Sequence, residues 1–354
     1  MKNKKIKTSL IVFIIILILV LCFNVVVYAA YVLVAADVSY TKSDGTTVSV
    51  KEVLDDLYDT LYDTQPLLAN SVSVGDYVAY DAGTYSYTSP TGTGSSHGNG
   101  NGSQTFTSSS SLKWRVLGWD GETGGVMLIS EAPIGTFTMK GAIGYLYAEQ
   151  ELNEICKIYG YGTGANTSKK FNYVTGEPLE GTTVGTITGS GARSINVDDV
   201  NKICGVTPSI KLNSNYGKAP YTKSIYYPTT SQSTGKSTSA ASRTDVHTYY
   251  SYTASNYLSN TEETYKLLFR DTANSSNITY WLASRCVYST SSISRFNVRV
   301  VNNGSVDYSS FGNGRSSSFS ESSSDRGVRP IVYLKSNIQT SGKNTSGAWN
   351  IIDQ

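Results

Sequence analysis

A chain of 354 residues that is 39% hydrophobic and only 16% charged carries enough apolar and aromatic mass for a folded core, which excludes global disorder. Gly (32) and Tyr (27), with much Ser and Thr, take the place of the missing charge, and a net charge of +2 argues against a nucleic-acid partner held through phosphates. Two histidines, His97 and His247, are little material for a His metal site or a His general base, so the composition leans away from enzymes.

Lys2, Lys4, Lys5 and Lys7 precede an apolar run from Leu10 to Ala36, interrupted by a polar residue only at Asn24. A positive segment followed by a long apolar one is an export signal. At about 1.5 Å per residue the run reaches across a bilayer. Val27-Tyr28-Ala29 before Ala30 also supplies the small residues signal peptidase needs. Residues 1–36 are therefore read as an apolar helix that is either a membrane anchor or a cleaved signal, and the chain as cell-surface, anchored or secreted. Cys22 follows Leu19-Val20-Leu21 without the small residue that lipidation requires.

Residues 37–71 follow as a stalk. Ser49-Val50-Lys51-Glu52 matches a capping box, and Val50, Leu54, Leu57 and Leu61 repeat at helical spacing until Pro66. The pattern predicts a short amphipathic helix that either oligomerises like chains or packs on its own domain. From Val72 the texture is that of strands, and residues 72–340 form the predicted main domain, with 341–354 a tail. A strand over 77–80 leads into a Gly/Ser/Thr-rich loop reaching about Ser111. Leu112 to Trp119 and Val126 to Ser130 bracket Asp120-Gly121, which predicts a hairpin.

A helix is expected near Tyr147 to Tyr159, stopped by Gly160, Gly162 and Gly164. Asn196 caps a second, with Asp198 and Asp199 at its positive end and Gly205 after it. Residues 208–257 read as a surface insertion. Beyond the export segment lie Cys156, Cys204 and Cys286; the alternatives are a Cys156–Cys204 bridge or buried thiols. Tyr280 to Arg285 reads as a buried strand. Phe296, Val298 and Val300 alternate with Asn297, Arg299 and Val301, Asn303-Gly304 supplies a tight turn, and a return strand begins at Ser305. Gly327 to Leu334 closes the domain as a last apolar strand.

Trp281-Leu282-Ala283-Ser284-Arg285, Val298-Arg299-Val300 with Gly304, and Arg326-Gly327-Val328-Arg329-Pro330-Ile331-Val332 together resemble the C-terminal half of bacterial C-type-lectin-fold domains. That group includes relatives of the formylglycine-generating enzyme and the variable proteins of diversity-generating retroelements. Trp114-Arg115-Val116-Leu117 and Met127-Leu128-Ile129-Ser130 fit its early strands. The resemblance spans about residues 72–337. It implies an α+β domain with a small mixed or antiparallel sheet, two short helices and long loops, its final strand paired with an early one. It places the ligand face between Arg285 and Gly327.

Between Cys286 and Asp325 there is no Lys, Gln, Met or Trp, and Glu occurs only at Glu321. Mutating the adenines of an AAY codon never yields those five residue types, while it does yield Tyr, Ser, Asn, Asp, Gly and Arg. The interval thus looks like a diversified repertoire on a fixed scaffold, with Glu321 in the framework, or else like an ordinary Ser-rich surface. Tyr, Ser, Gly and Asn are also the residues of antibody paratopes. The candidate ligand-binding residues are Tyr288, Ser289, Ser291, Ser292, Ser294, Arg295, Asn297, Asn302, Asp307, Tyr308, Asn313 and Arg315. Arg285 and Arg329 are expected to fix the scaffold through ion pairs.

No catalytic site is expected. No Gly-x-Ser-x-Gly elbow opens a helix, Gly160 to Gly164 lacks the lysine of a phosphate loop, and a helix start explains Asp198 and Asp199 without metal. Neither a cofactor nor a metal is expected. The sequence points to a binding protein or adhesin that recognises a protein or glycan on another cell, a phage or a host, with homo-oligomers through the stalk an open alternative. The other classes are an enzyme of the formylglycine-generating type and a pilin-like envelope subunit.

Overall fold

A computed structural model describes residues 39–41, 45–53, 65–90, 102–174, 184–206, 225–228, 236–239, 251–270, 276–289, 293–315 and 318–353. The chain divides into two compact units, residues 1–65 and 66–354. In the first, β1 (Ser39–Thr41) and β2 (Thr47–Ser49) pair antiparallel. The capping box forms as the sequence predicts: Glu52 N donates to Ser49 Oγ (3.1 Å) and Ser49 N to Glu52 Oε2 (2.7 Å). The apolar run Leu10–Ala36 and the continuation of this helix over 54–64 lie outside the described residues. Among the described residues no helix is long and apolar enough to cross a membrane.

The second unit is an α+β fold. In chain order it runs α1 (Leu68–Ser71), β3 (Tyr77–Val78), β4 (Ser86–Ser89), β5 (Gln104–Thr107), β6 (Trp114–Trp119), β7 (Val126–Ser130) and β8 (Thr136–Lys140). Then come α2 (Gly141–Lys157), β9 (Phe171–Val174), β10 (Val184–Ile187), β11 (Ala192–Ser194), α3 (Val197–Ile203), β12 (Ile225–Pro228), β13 (Lys236–Ser239), β14 (Tyr252–Thr253) and α4 (Glu263–Phe269). It ends with β15 (Tyr280–Ser289), β16 (Ile293–Asn302), β17 (Ser305–Arg315), β18 (Phe319–Glu321), β19 (Ser323–Gly327) and β20 (Pro330–Tyr333).

Two sheets hold the unit together, more than the single small sheet expected. One is antiparallel in the order β11-β20-β7-β6-β3, so the final strand pairs with the early β7. The other runs β14-β17-β16-β15-β19-β8, with β18 on β17; it is antiparallel except where β15 meets β19. The turn between β16 and β17 places Asn303 (φ 47°) and Gly304 (φ 79°) in the left-handed region, which is why this dipeptide closes the hairpin. The loop expected over 81–111 contains the hairpin β4–β5, joined by hydroxyl pairs Ser86–Thr107 (2.8 Å) and Thr88–Thr105 (2.9 Å). Residues 341–353, read as a tail, are part of the unit: Trp349 N donates to Tyr77 O and Ala79 N to Trp349 O, both 2.8 Å.

Helix α2 is 17 residues long and starts six residues before the predicted boundary. Its first turn, Gly141-Ala142-Ile143-Gly144, is weakly helical by composition and buried on every side, so no polar face announces it. It has no side-chain cap of its own. Gly141 N donates to Ser322 O (2.9 Å) and Ala142 N to Glu321 Oε1 (3.2 Å), placing the Glu321 carboxylate at the positive helix end. Gly141 has φ 57°, and a Cβ there would stand 2.7 Å from the Glu321 carboxyl carbon. Glu321 is therefore a scaffold residue.

The opposite flank of α2 buries Glu151, 2% exposed, with Tyr87 Oη donating to its Oε2 at 3.0 Å. Burial pushes this carboxyl from 4.5 to about 7. Between those values the folded chain binds more protons than the unfolded one, so stability is complete below pH 4.5 and declines as pH rises through about 7. The change is about 3 kcal/mol at 1.36 kcal/mol per unit. Chemical denaturation from pH 4.5 to 8 should show this slope, and Glu151→Gln should flatten it; an unchanged slope in that variant would assign the proton elsewhere.

Helix α3 carries the predicted cap: Asp199 N donates to Asn196 Oδ1 and Asn196 N to Asp199 Oδ2, both 2.9 Å. Asp199 also takes both terminal nitrogens of Arg193 at 2.7 Å, which accounts for its charge without a metal. Cys156, Cys204 and Cys286 are buried free thiols, so of the two alternatives for Cys156 and Cys204 the unbridged one holds. Of the insertion over 208–257, β12 and β13 form an antiparallel pair, β12 lies against β16, β17 and α2, and the end at β14 joins β17 at the sheet edge.

Candidate ligand face

Strands β15, β16 and β17 form the predicted site region. Their register sets which side chains share a side, because successive residues point oppositely. Phe296, Val298 and Val300 face α2, where the Phe296 ring meets Tyr145 edge-on at 5.4 Å. On the same side Arg285 lies over the Tyr145 ring at 5.2 Å and donates to Leu146 O. Arg295, Asn297, Arg299 and Val301 take the other side. Through the pairs Arg295↔Asn313, Asn297↔Ser310, Arg299↔Tyr308 and Val301↔Val306, so do Asn313, Ser310, Tyr308 and Val306. A bulge at Phe296/Asn297 absorbs Phe311 into the core against Trp281. Arg315 pairs with Ile293, two positions beyond Asn313, and shares that outer side.

The candidates therefore separate. Arg295 and Arg315 are exposed and Asn313 half-buried, together at the far end of the hairpin; Tyr288 occupies the register position opposite Arg295. Ser289 is the register partner of Ser294, which is fully buried on the α2 side and is no contact residue. Asn297 is on the outer side yet 1% exposed, with its amide donating to Arg295 O at 3.3 Å. Asp307 and Tyr308 are adjacent in one strand and cannot share a side; Asp307 pairs with Val300 and accepts from Ser251 Oγ at 2.6 Å. Asn302 lies at the turn end, accepting from Thr279 Oγ1, about 23 Å along the strand from Arg295. Ser291 and Ser292 lie outside the described residues. The single exposed patch expected from composition is thus a shorter one, centred on Arg295, Asn313 and Arg315.

Among the described residues of β15 to β17 the outer side carries no carboxylate. Asp307 is turned away and Glu321 is held at the α2 terminus. Arg299, which composition did not single out, is fully buried on this side. Its only advance sign is its odd phase in the alternation with Val298 and Val300. Arg329 does fix the scaffold, but through carbonyls: it donates to Ser130 O, Glu131 O and Leu267 O and lies 5.3 Å from the centre of the Tyr280 ring.

The exposed patch is the far end of the β16–β17 ladder. A 480 Å³ cleft lies elsewhere, between Tyr77–Asp81, Ser110–Trp114 and Asn344–Ala348, and a 210 Å³ one beside Glu149, Arg193 and Asp198. Clefts suit small molecules, whereas flat strands suit extended surfaces. Cys286 is buried opposite Asn297, Cys156 lies on α2 and Cys204 at the end of α3, all three as free thiols. Among the described residues no three His, Cys, Asp or Glu side chains converge to hold a metal. Comparison with known proteins finds no family model, curated protein or solved structure that matches the chain.

Proposed function

We propose that this chain is an exported, surface-displayed binding protein whose C-type-lectin-like domain recognises a protein or glycan on another cell, a phage or a host. The observation that carries this reading is the outer side of β16–β17, which presents Arg295, Asn313 and Arg315 together at the far end of the hairpin. Arg and Tyr are the residue types that dominate binding hot spots. The rigid backing supports the reading too: the inner side is packed on α2, so contact residues are replaceable without disturbing the core.

The test is a glycan array and a panel of cell-surface protein fractions probed with the full chain. The strongest binder should lose roughly a thousandfold in affinity with Arg295→Ala combined with Arg315→Ala, each arginine contributing about 2 kcal/mol. Unchanged binding would move the site off this face. Diversification by adenine mutagenesis adds a condition on the gene: codons for Ser289, Ser291, Ser292, Ser294, Ser309, Ser310, Arg295 and Arg315 end in a pyrimidine. Purine-ending codons at most of them would leave a static binder.

A further inference from the structure

Arg299 is 0% exposed, and its Nε, Nη1 and Nη2 have no hydrogen-bond partner among the described residues. On one flank β15 leaves the ladder between Trp281 and Arg285, so that Leu282, Ala283 and Ser284 stand opposite this one residue. The bulged stretch is held by other contacts: Ala283 N donates to Ile195 O and, just after it, Arg285 N to Glu149 Oε1, both 2.9 Å. Ser284 Oγ is taken by Val197 N at 2.9 Å. On the other flank the register partner is Tyr308.

A second buried donor is in the same state. Asn201 of α3 is 2% exposed; its Oδ1 accepts from Tyr252 Oη at 2.7 Å, while its Nδ2 has no partner. Tyr252 pairs with Val306, two residues from Tyr308, and the charge of Arg299 opposes the rise that burial imposes on its phenol. The orphaned acceptors nearby on the same side, Asn297 Oδ1 and Ser310 Oγ, are neutral and make no bond to the guanidinium. An uncompensated buried guanidinium is among the most costly things a core holds. A lone water would satisfy one or two N–H groups and leave the charge.

We propose that Arg299 receives a small oxyanion, a carboxylate or sulfate, in the interior where its guanidinium lies, with Asn201 Nδ2 as the auxiliary donor. The planar fork of a guanidinium matches two oxygens of such a group.

The experiment is thermal unfolding of the full chain titrated with sodium acetate or sodium sulfate against sodium chloride at equal ionic strength. The wild type should show a saturable rise in Tm with the oxyanions beyond that with chloride. Arg299→Met should abolish that rise and, in chloride, melt no lower than wild type, because it removes a charge that lacks a partner. No oxyanion-specific rise in the wild type, a retained rise in Arg299→Met, or a fall of several degrees for that variant in chloride would each overturn the proposal. Should Arg299→Met not fold, Arg299→Lys decides: it keeps the charge without the fork, and at least tenfold weaker oxyanion affinity supports the site where unchanged affinity refutes it. The Arg295→Ala, Arg315→Ala double variant should keep the response. Loss of the oxyanion response at Arg299 and loss of the outer face as the binding site are therefore read by different proteins.

Discussion

Trp281→Ala should cost about 3–5 kcal/mol in denaturant unfolding, the range for deleting a buried large aromatic side chain. Trp281 is fully buried at the hinge of the larger sheet, pairing with Val300 on β16 while its indole N–H donates to Phe137 O of β8 at 2.8 Å. Its ring lies 5.5 Å from that of Phe311, the residue displaced inward by the β17 bulge, and the Arg326 guanidinium stands 6.0 Å from its centre. Alanine removes the ring contacts and also leaves a buried carbonyl without its donor. Asn313→Ala and Arg315→Ala, by contrast, touch no core contact and should stay within about 0.5 kcal/mol. Equal losses at Trp281 and Arg315 would mean that Arg315 belongs to the framework and not to the proposed ligand face.

The strands around Trp281 were legible because their pattern is enforced by one apolar side. Phe296, Val298 and Val300 must meet α2, and Asn303-Gly304 alone permits the turn that follows. The α3 cap was legible for a similar reason, since Asn196 and Asp199 satisfy each other locally. What escaped has no local signature. β19 is Ser-Ser-Asp-Arg-Gly, a strand only because its backbone pairs with β8. Its glycine is dictated by Pro133, whose side chain would lie 2.5 Å from a Cβ at Gly327. The grouping of Asp307 with Tyr308 read composition where the two-residue period decides. Arg299 was invisible as a site because its meaning comes from burial, which is set by the bulge in β15 and by α3, far away in sequence.

A second buried arginine should respond in the opposite sense to Arg299. Arg329 is also fully buried, yet its fork is fully engaged: Nε and Nη2 reach Ser130 O at 2.9 and 2.8 Å, Nη2 reaches Glu131 O at 3.1 Å, and Nη1 donates to Leu267 O. These bonds tie the end of β7 to α4, with Tyr280 of β15 stacked against the guanidinium. Desolvation lowers its pKa, and the interaction with Tyr280 works against that shift. Arg329→Met keeps the bulk but strips the donors from three carbonyls in the interior. Removing one side of such a buried charged network costs about 3–5 kcal/mol, so the variant should unfold at markedly lower denaturant. Arg329→Lys should recover only part of the loss, since one ammonium cannot reach carbonyls on β7 and α4 with the geometry of a fork. An Arg329→Met protein within about 1 kcal/mol of wild type would show that water replaces the fork. The contrast between the two arginines, on which the oxyanion site depends, would then lose its structural basis.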